Sequence, residues 1–124
     1  SDLITCVVDG KLLDFIHVMD ICSIFGNALD NAIEHVILIP EEEKRLIHMS
    51  VSAKKNFVFI KIENYCESEI IKNQHSLITT TKADKQNHGF GLRSICAAAE
   101  KYGGSVSFEQ VQNWFELKIL LPRG

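Results

Sequence analysis

Between residues 21 and 36, apolar side chains recur with the spacing of a helix: Ile21, Ile24, Phe25, Ala28, Leu29, Ala32, Ile33 and Val36. Such a stripe predicts an amphipathic helix with one buried face. Asp20 stands where an N-cap is expected, and Pro40 ends the segment because the residue before a proline avoids helical angles. A second helical pattern begins at Phe90 and runs through Leu92, Ile95, Cys96 and Ala99, with Gly103 as its C-cap. Elsewhere the period falls to two. Residues 3–8 are mostly β-formers and end on an Asp9-Gly10 turn, and residues 11–15 read as a second short extended stretch. Residues 46–53 and 57–63 read as a hairpin turning at Lys55-Asn56, with Phe57, Phe59 and Lys61 on one face and Val58, Ile60 and Ile62 on the other. Residues 105–109 and 114–121 form a last hairpin across Gln112-Asn113, closed by Pro122, and residues 41–45 are a charged connection of about one helical turn.

Residues 65–88 break the pattern. They are rich in Ser, Thr, Lys, Asn, Gln and His, and only Ile70-Ile71 and Leu77-Ile78 offer apolar anchors. A stretch this long without a period is a functional lid or a disordered segment rather than a passive connection. The order strands, helix, hairpin, long loop, helix, hairpin predicts a two-layer α/β (α+β) sandwich. Its sheet is mixed and largely antiparallel, its helices lie on one face, and a lid precedes the second helix.

Composition narrows the class. The 124 residues fit one domain spanning 1–124, with 46% hydrophobic and 23% charged residues. A net charge of −3 and a pI near 5.9 argue against nucleic acid as a partner. Cys6, Cys22, Cys66 and Cys96 form no Cys-x-x-Cys pair and no zinc spacing, so they read as reduced, mostly buried small hydrophobes of a cytosolic protein. No apolar run is long enough to cross a bilayer and no signal peptide is present, so membrane attachment is expected only through segments outside this chain.

Three constellations carry chemistry. At 100° per residue, Asn27, Asn31 and Glu34 share one narrow sector of the first helix, bordering its apolar face, with Asp20 further toward its start. Two asparagines four apart present side-chain carbonyls suited to a hard cation such as Mg2+, or are simply two solvated amides. His88-Gly89-Phe90-Gly91-Leu92 opens the second helix. Its glycines let backbone approach a ligand, and the helix start favours phosphate; the same pair also suits a plain turn. Thr79-Thr80-Thr81-Lys82 places hydroxyls and a point charge in the polar loop, either for phosphate or for solvent.

Taken in order, these segments resemble one superfamily. Gly26-Asn27-Ala28-Leu29-Asp30-Asn31-Ala32-Ile33-Glu34 resembles the N box of the GHKL ATPases, which comprise gyrase-type ATPases, Hsp90, MutL and histidine kinases. The run from Thr80 through His88-Gly89-Phe90-Gly91-Leu92 to Ile95 resembles the lid end and G2 box of the accessory-gene-regulator-like, peptide-sensing histidine kinases, as do Tyr102-Gly103-Gly104-Ser105 and the terminal strand. The resemblance implies a Bergerat (GHKL) fold that binds ATP with Mg2+. It makes Asn31 the Mg2+ ligand and Asn27 the residue that supports metal and phosphates. Gly89, Gly91 and the adjoining backbone at Leu92 hold the triphosphate, with Lys82 and His88 reaching it from the lid. It further implies a cytoplasmic catalytic domain of a membrane-embedded bacterial receptor. Its partners are a dimerisation domain bearing the phosphoacceptor histidine and a response regulator.

The sequence departs from that pattern at the G1 box, where Ile62-Glu63-Asn64-Tyr65-Cys66 replaces Asp-x-Gly-x-Gly and Asn64 takes the adenine-reading position. An amide there reads adenine less selectively than a carboxylate. Glu34 stands where many histidine kinases carry a lysine, which removes one phosphate contact. No segment resembles the phosphoacceptor helix, so the chain is not expected to autophosphorylate. ATPases of the superfamily place a glutamate at the Asn27 position to activate water; an amide cannot act as that base, and hydrolysis is expected to be very slow. His35 either lines the adenine pocket or packs, while His17, His48 and His75 are expected at unremarked surface or strand positions. Residues 68–87 are expected to be mobile without nucleotide. Two further readings share these residues: an interaction or scaffolding module that has lost productive ATP binding, and a stand-alone anti-sigma-type serine kinase.

Overall fold

A computed structural model describes residues 4–67 and 90–123. Tyr65, at the start of the stretch read as a lid, is the last residue of a strand, while residues 68–89, and with them Lys82, His88 and Gly89, lie outside the described residues. The elements are β1 (Ile4–Val8), α1 (Val18–Val36), β2 (Ile47–Lys54), β3 (Phe57–Tyr65), α2 (Phe90–Lys101), β4 (Ser105–Val111) and β5 (Trp114–Pro122). Single 3-10 turns occupy Gly10–Leu13 and Glu42–Lys44.

The strands form one sheet in the order β1-β2-β3-β5-β4. Among the described residues β1 and β2 run parallel and the other pairings are antiparallel, as the consecutive hairpins imply. Both hairpins turn on two residues, with Lys55 (φ 57°) and Gln112 (φ 54°) taking the left-handed conformation at each bend. Pairing sets Val58 opposite Leu121, Ile60 opposite Ile119 and Ile62 opposite Leu117. These six side chains are essentially buried and form the floor of the core. Against them pack Ile24, Ala28, Ala32 and Val36 of α1 and Leu92, Ile95, Ala98 and Ala99 of α2. The small alanines let both helices sit close to the sheet and to each other. Each fully buried Ile or Leu contributes about 1.5–3 kcal/mol relative to exposure, so this layer carries the fold.

Several boundaries differ from the pattern reading, each for a local reason. Residues 11–15 are not extended: the Asp9 side chain accepts the Lys11 N–H at 3.2 Å and its carbonyl accepts the Leu12 N–H at 3.1 Å, which winds the chain into a turn and buries Leu13. The first helix begins at Val18, and its N-cap is His17, whose Nδ1 accepts the Met19 N–H at 3.1 Å. Asp20 lies in the first turn with other partners. The cysteines are free but not buried: Cys6 and Cys22 are exposed, and Cys66 and Cys96 are half-buried. Cys6 sits on the edge strand β1 and Cys22 on an exposed position of α1, so residue type and apolar surroundings in sequence overestimated their burial. No helix among the described residues is long and apolar enough to cross a membrane.

Candidate functional site

α1 and α2 run antiparallel, so the middle of α1 meets the beginning of α2. Contact is closest where Asn27 faces Gly91: a Cβ at Gly91 would lie 3.3 Å from Asn27 Oδ1. A Cβ there would press on that carbonyl, which would have to give by a few tenths of an ångström. The Asn27 amide is oriented from behind. Its Nδ2 donates to the Ser23 carbonyl at 2.7 Å and to Ser23 Oγ at 3.4 Å, which leaves Oδ1 turned toward the start of α2. Ser23 was missed in the sequence, although a Ser-x-x-x-Asn spacing on one helix face was a readable signal.

Asn31 follows one turn later. It is 8% exposed, and among the described residues its amide has no hydrogen-bond partner. An uncharged carbonyl oxygen at a helix–helix rim fits a hard cation that keeps waters and phosphate oxygens as its other ligands. Among the described residues, no group of three or more His, Cys, Asp or Glu forms a ready-made metal site. The donor set thus suits Mg2+ arriving with a phosphate ligand rather than a transition metal held by protein alone.

His35, one further turn along, lines up with Asn27 and Asn31 and joins α1 to β3. Its Nδ1 lies 3.3 Å from Asn64 Oδ1, and its ring meets Phe115 edge-on at 5.3 Å. Asn64 is 1% exposed and donates from Nδ2 to the Tyr65 carbonyl at 3.2 Å. With the amide nitrogen committed to Tyr65, Oδ1 is the acceptor that faces His35. A cavity of about 280 Å3 opens beside this pair, lined by His35, Leu38, Ile39, Pro40, Tyr65, Cys66 and Glu67. Its walls are mainly apolar with a few polar groups, as expected of a small-molecule pocket. Leu92 contributes differently from Gly91: its side chain is in the core at 5% exposure, leaving only its backbone to face a ligand.

Of the sequence-selected residues, Asn27 and Gly91 face each other across the helix pair, Asn31 lies one turn further along α1, Asn64 is met from α1 through His35, and the Leu92 side chain is in the core. The far end is closed by residues whose roles the sequence did not disclose. Tyr102 Oη donates to Asp20 Oδ2 at 2.5 Å and accepts the His17 N–H at 2.9 Å, while Lys101 Nζ lies 3.0 Å from the same carboxylate. The Tyr102 hydroxyl, and after it Lys101, holds the Asp20 carboxyl below its ordinary 3.8, and Asp20 in turn raises Lys101. His48 also has a defined place, on the outer face of the sheet, stacked on Trp114 at 4.7 Å and 3.3 Å from Glu63.

Comparison with known proteins agrees with this layout. The structure is similar to the catalytic domain of the histidine kinase ThkA in a nucleotide-free form, with a TM-score of 0.73 and 18% identity over 97% of this chain and 78% of that one. It is similar to the Acinetobacter baumannii histidine kinase AdeS, with a TM-score of 0.65 and 14% identity over 98% of this chain. It is also similar to full-length ShkA in complex with AMPPNP, with a TM-score of 0.68 and 15% identity over 96% of this chain. The chain spans 55% of the AdeS structure and 25% of the ShkA structure. These likenesses establish a shared fold, that of histidine kinase catalytic domains. No curated protein matches the sequence at a significant level. A profile describing the GHKL domain matches residues 16–122, nearly the whole chain, and the protein belongs to the GHKL domain family.

Proposed function

We propose that this domain binds ATP with Mg2+ at the junction of α1 and α2. It then presents the γ-phosphoryl group to a histidine on a separate dimerisation and phosphoacceptor domain, as the catalytic part of a two-component sensor kinase. The observation that carries this reading is the pairing of Asn27 Oδ1 against Gly91, with Asn31, 8% exposed, one turn further along the same helix face. The first supplies an opening at a helix N-terminus, where backbone N–H groups and the helix dipole favour phosphate. The second supplies an oxygen ligand for the cation, which when bound neutralises phosphate charge. The base would occupy the cavity beside His35 and Asn64, with Leu38 and Ile39 as apolar walls.

The same geometry accounts for transfer rather than hydrolysis. Phosphoryl transfer is catalysed mainly by positioning and charge neutralisation. Asn27, its amide tied to Ser23, cannot take a proton from water at neutral pH. The domain would hold ATP for an external nucleophile, with the base and the acceptor supplied by the partner domain. A response regulator would receive the phosphoryl group afterwards, and a membrane-embedded receptor would be the setting.

Calorimetric titration with AMPPNP, with Mg2+ and with EDTA, tests the reading alongside Asn31→Ala. The expected result is Mg2+-dependent binding that Asn31→Ala weakens at least tenfold, about 1.4 kcal/mol. A folded domain that binds no nucleotide would sink the reading. It would also favour the alternative of an interaction module, for which there is one specific observation: the side chains of Tyr65, Cys66 and Glu67 line the cavity where the superfamily carries glycines.

A further inference from the structure

The cavity at the end of α1 sets an apolar wall of Leu38, Ile39 and Pro40 against a few polar groups. Two of these groups are occupied with each other. The Tyr65 hydroxyl donates to Glu67 Oε2 at 3.2 Å, and Lys44 Nζ lies 3.2 Å from the same oxygen. His35 brings the lining a half-buried ring that can donate or accept. Asn64 is 1% exposed and is not part of the lining. It reaches the cavity through His35, whose Nδ1 stands 3.3 Å from Asn64 Oδ1. The Asn64 amide cannot be turned over, because its Nδ2 is 3.2 Å from the Tyr65 carbonyl, which only accepts. The oxygen therefore faces His35, and His35 Nδ1 must carry the proton between them. In the neutral ring this leaves Nε2, on the side away from Asn64, as an acceptor.

We infer that His35, rather than Asn64, reads the base: its Nε2 accepts from the amino group of adenine and rejects guanine, which carries a carbonyl in that place. The inference rests on the nucleotide-site reading above and deepens it. Asn64 is then a positioning residue that sets the tautomer of His35. An aspartate at position 64 could accept from a base directly, with no intermediary. The amide spends its nitrogen on the backbone of its own strand and its oxygen on His35, and the imidazole restores an acceptor one step nearer the ligand. Phe115, edge-on at 5.3 Å, steadies the plane of the ring. A guanine carbonyl would meet the Nε2 lone pair with no proton between them. A site rejects a close analogue most strongly when its own polar group is left unsatisfied in this way. At about 280 Å3 the cavity stands at the small end of ligand pockets, with room for one ring system. The loss of the aspartate therefore leaves base selectivity in place and moves it to α1.

The test compares AMPPNP with GMPPNP, both in Mg2+, on the wild-type chain, His35→Phe and His35→Gln. The wild type is expected to prefer AMPPNP roughly tenfold or more. His35→Phe keeps a ring against Phe115 and removes the acceptor. Its AMPPNP affinity is expected to fall roughly tenfold while GMPPNP is unchanged, so that the preference disappears. His35→Gln provides a second variant should His35→Phe fold poorly. Its amide can turn either atom to the base, so AMPPNP still binds and the preference again narrows. A residue that only packs would weaken both nucleotides alike and leave their ratio where it was. A preference that survives in a folded variant, or a wild type that binds both nucleotides equally, overturns the inference and leaves the nucleotide site standing. A wild type that binds neither overturns the nucleotide-site reading and the inference with it. The tautomer is read without nucleotide, by NMR of the ring nitrogens. A protonated Nδ1 with an unprotonated Nε2 is expected for His35, and the opposite tautomer overturns the inference whatever the domain binds.

Discussion

The two ends of the α1–α2 pair are built on opposite rules. At one end Tyr102, Asp20, His17 and Lys101 satisfy one another. The hydroxyl both donates and accepts, the carboxylate receives two donors, and Phe15 covers the ring edge-on at 6.1 Å. There α2 closes in a hydrogen-bonded cap, with the Gly103 N–H bonded to the Glu100 carbonyl and the Gly104 N–H to the Ala99 carbonyl, both at 2.9 Å, and Gly103 at φ 74°. At the other end Asn27 turns its carbonyl toward Gly91, and Asn31 is sunk to 8% exposure without a partner among the described residues. One end spends its polar groups on holding the helices in register. The other, on the proposed function, keeps them for a nucleotide. A substitution at the closed end should therefore act on stability, and one at the open end on binding.

The largest effect is expected at Gly104. A Cβ there would lie 2.4 Å from the Leu120 carbonyl oxygen and 2.5 Å from Leu121 Cδ2, against backbone that cannot yield without moving β5. Gly104→Ala should cost several kcal/mol, on the order of 4 or more, enough to unfold a domain of ordinary stability. Denaturant unfolding checks this. A wild-type midpoint would mean that the closed end is looser than its contacts imply.

Gly91→Ala sharpens the contrast from the open end. Its Cβ would sit 3.3 Å from Asn27 Oδ1, the end of a side chain that can shift by a few tenths of an ångström. Helix propensity favours alanine by about 0.5–1 kcal/mol. Stability should stay within about 1 kcal/mol of wild type or rise slightly, while AMPPNP affinity falls roughly tenfold because the added methyl crowds the oxygen and narrows the helix start. A loss of stability with affinity intact would reverse the assignment of the two ends.

How much of this could be read from the chain follows from the range of the interactions. The apolar stripe of α1, both hairpin turns, the Gly103 cap and the two-layer sandwich depend on spacings of a few residues. All were legible, as was the Asn27–Asn31 pair. The start of α1 was not, because Asp20, a strong capping residue by type, is engaged by Tyr102 from 82 positions away, and His17 caps in its place. His35 could not be decided between packing and pocket, since its ring does both: it meets Phe115 and faces Asn64 on one hand and lines the cavity on the other. The cysteines were overburied for a related reason. A helical period marks which residues share a face but not how far the neighbouring layer extends, and Cys22 of α1 is left exposed.

The smallest effect expected is at Asp20, and its pH dependence separates charge from packing at the closed end. The Tyr102 hydrogen bond, and secondarily Lys101, lowers the folded-state pKa of Asp20 below its ordinary 3.8. A carboxyl with a depressed folded pKa stabilises the fold above its unfolded value, and that contribution disappears as pH falls through the folded pKa. Asp20→Asn should therefore be less stable than wild type at neutral pH, and the gap should narrow once the pH drops below 3.8. Nucleotide affinity should change little, because the clasp lies at the opposite end of the helix pair from Gly91. Denaturant midpoints of both proteins across that range decide the matter. A gap that persists unchanged into acid would assign the clasp to the shape of Tyr102 and Phe15 rather than to the Asp20 charge, and the closed end would then be held by packing alone.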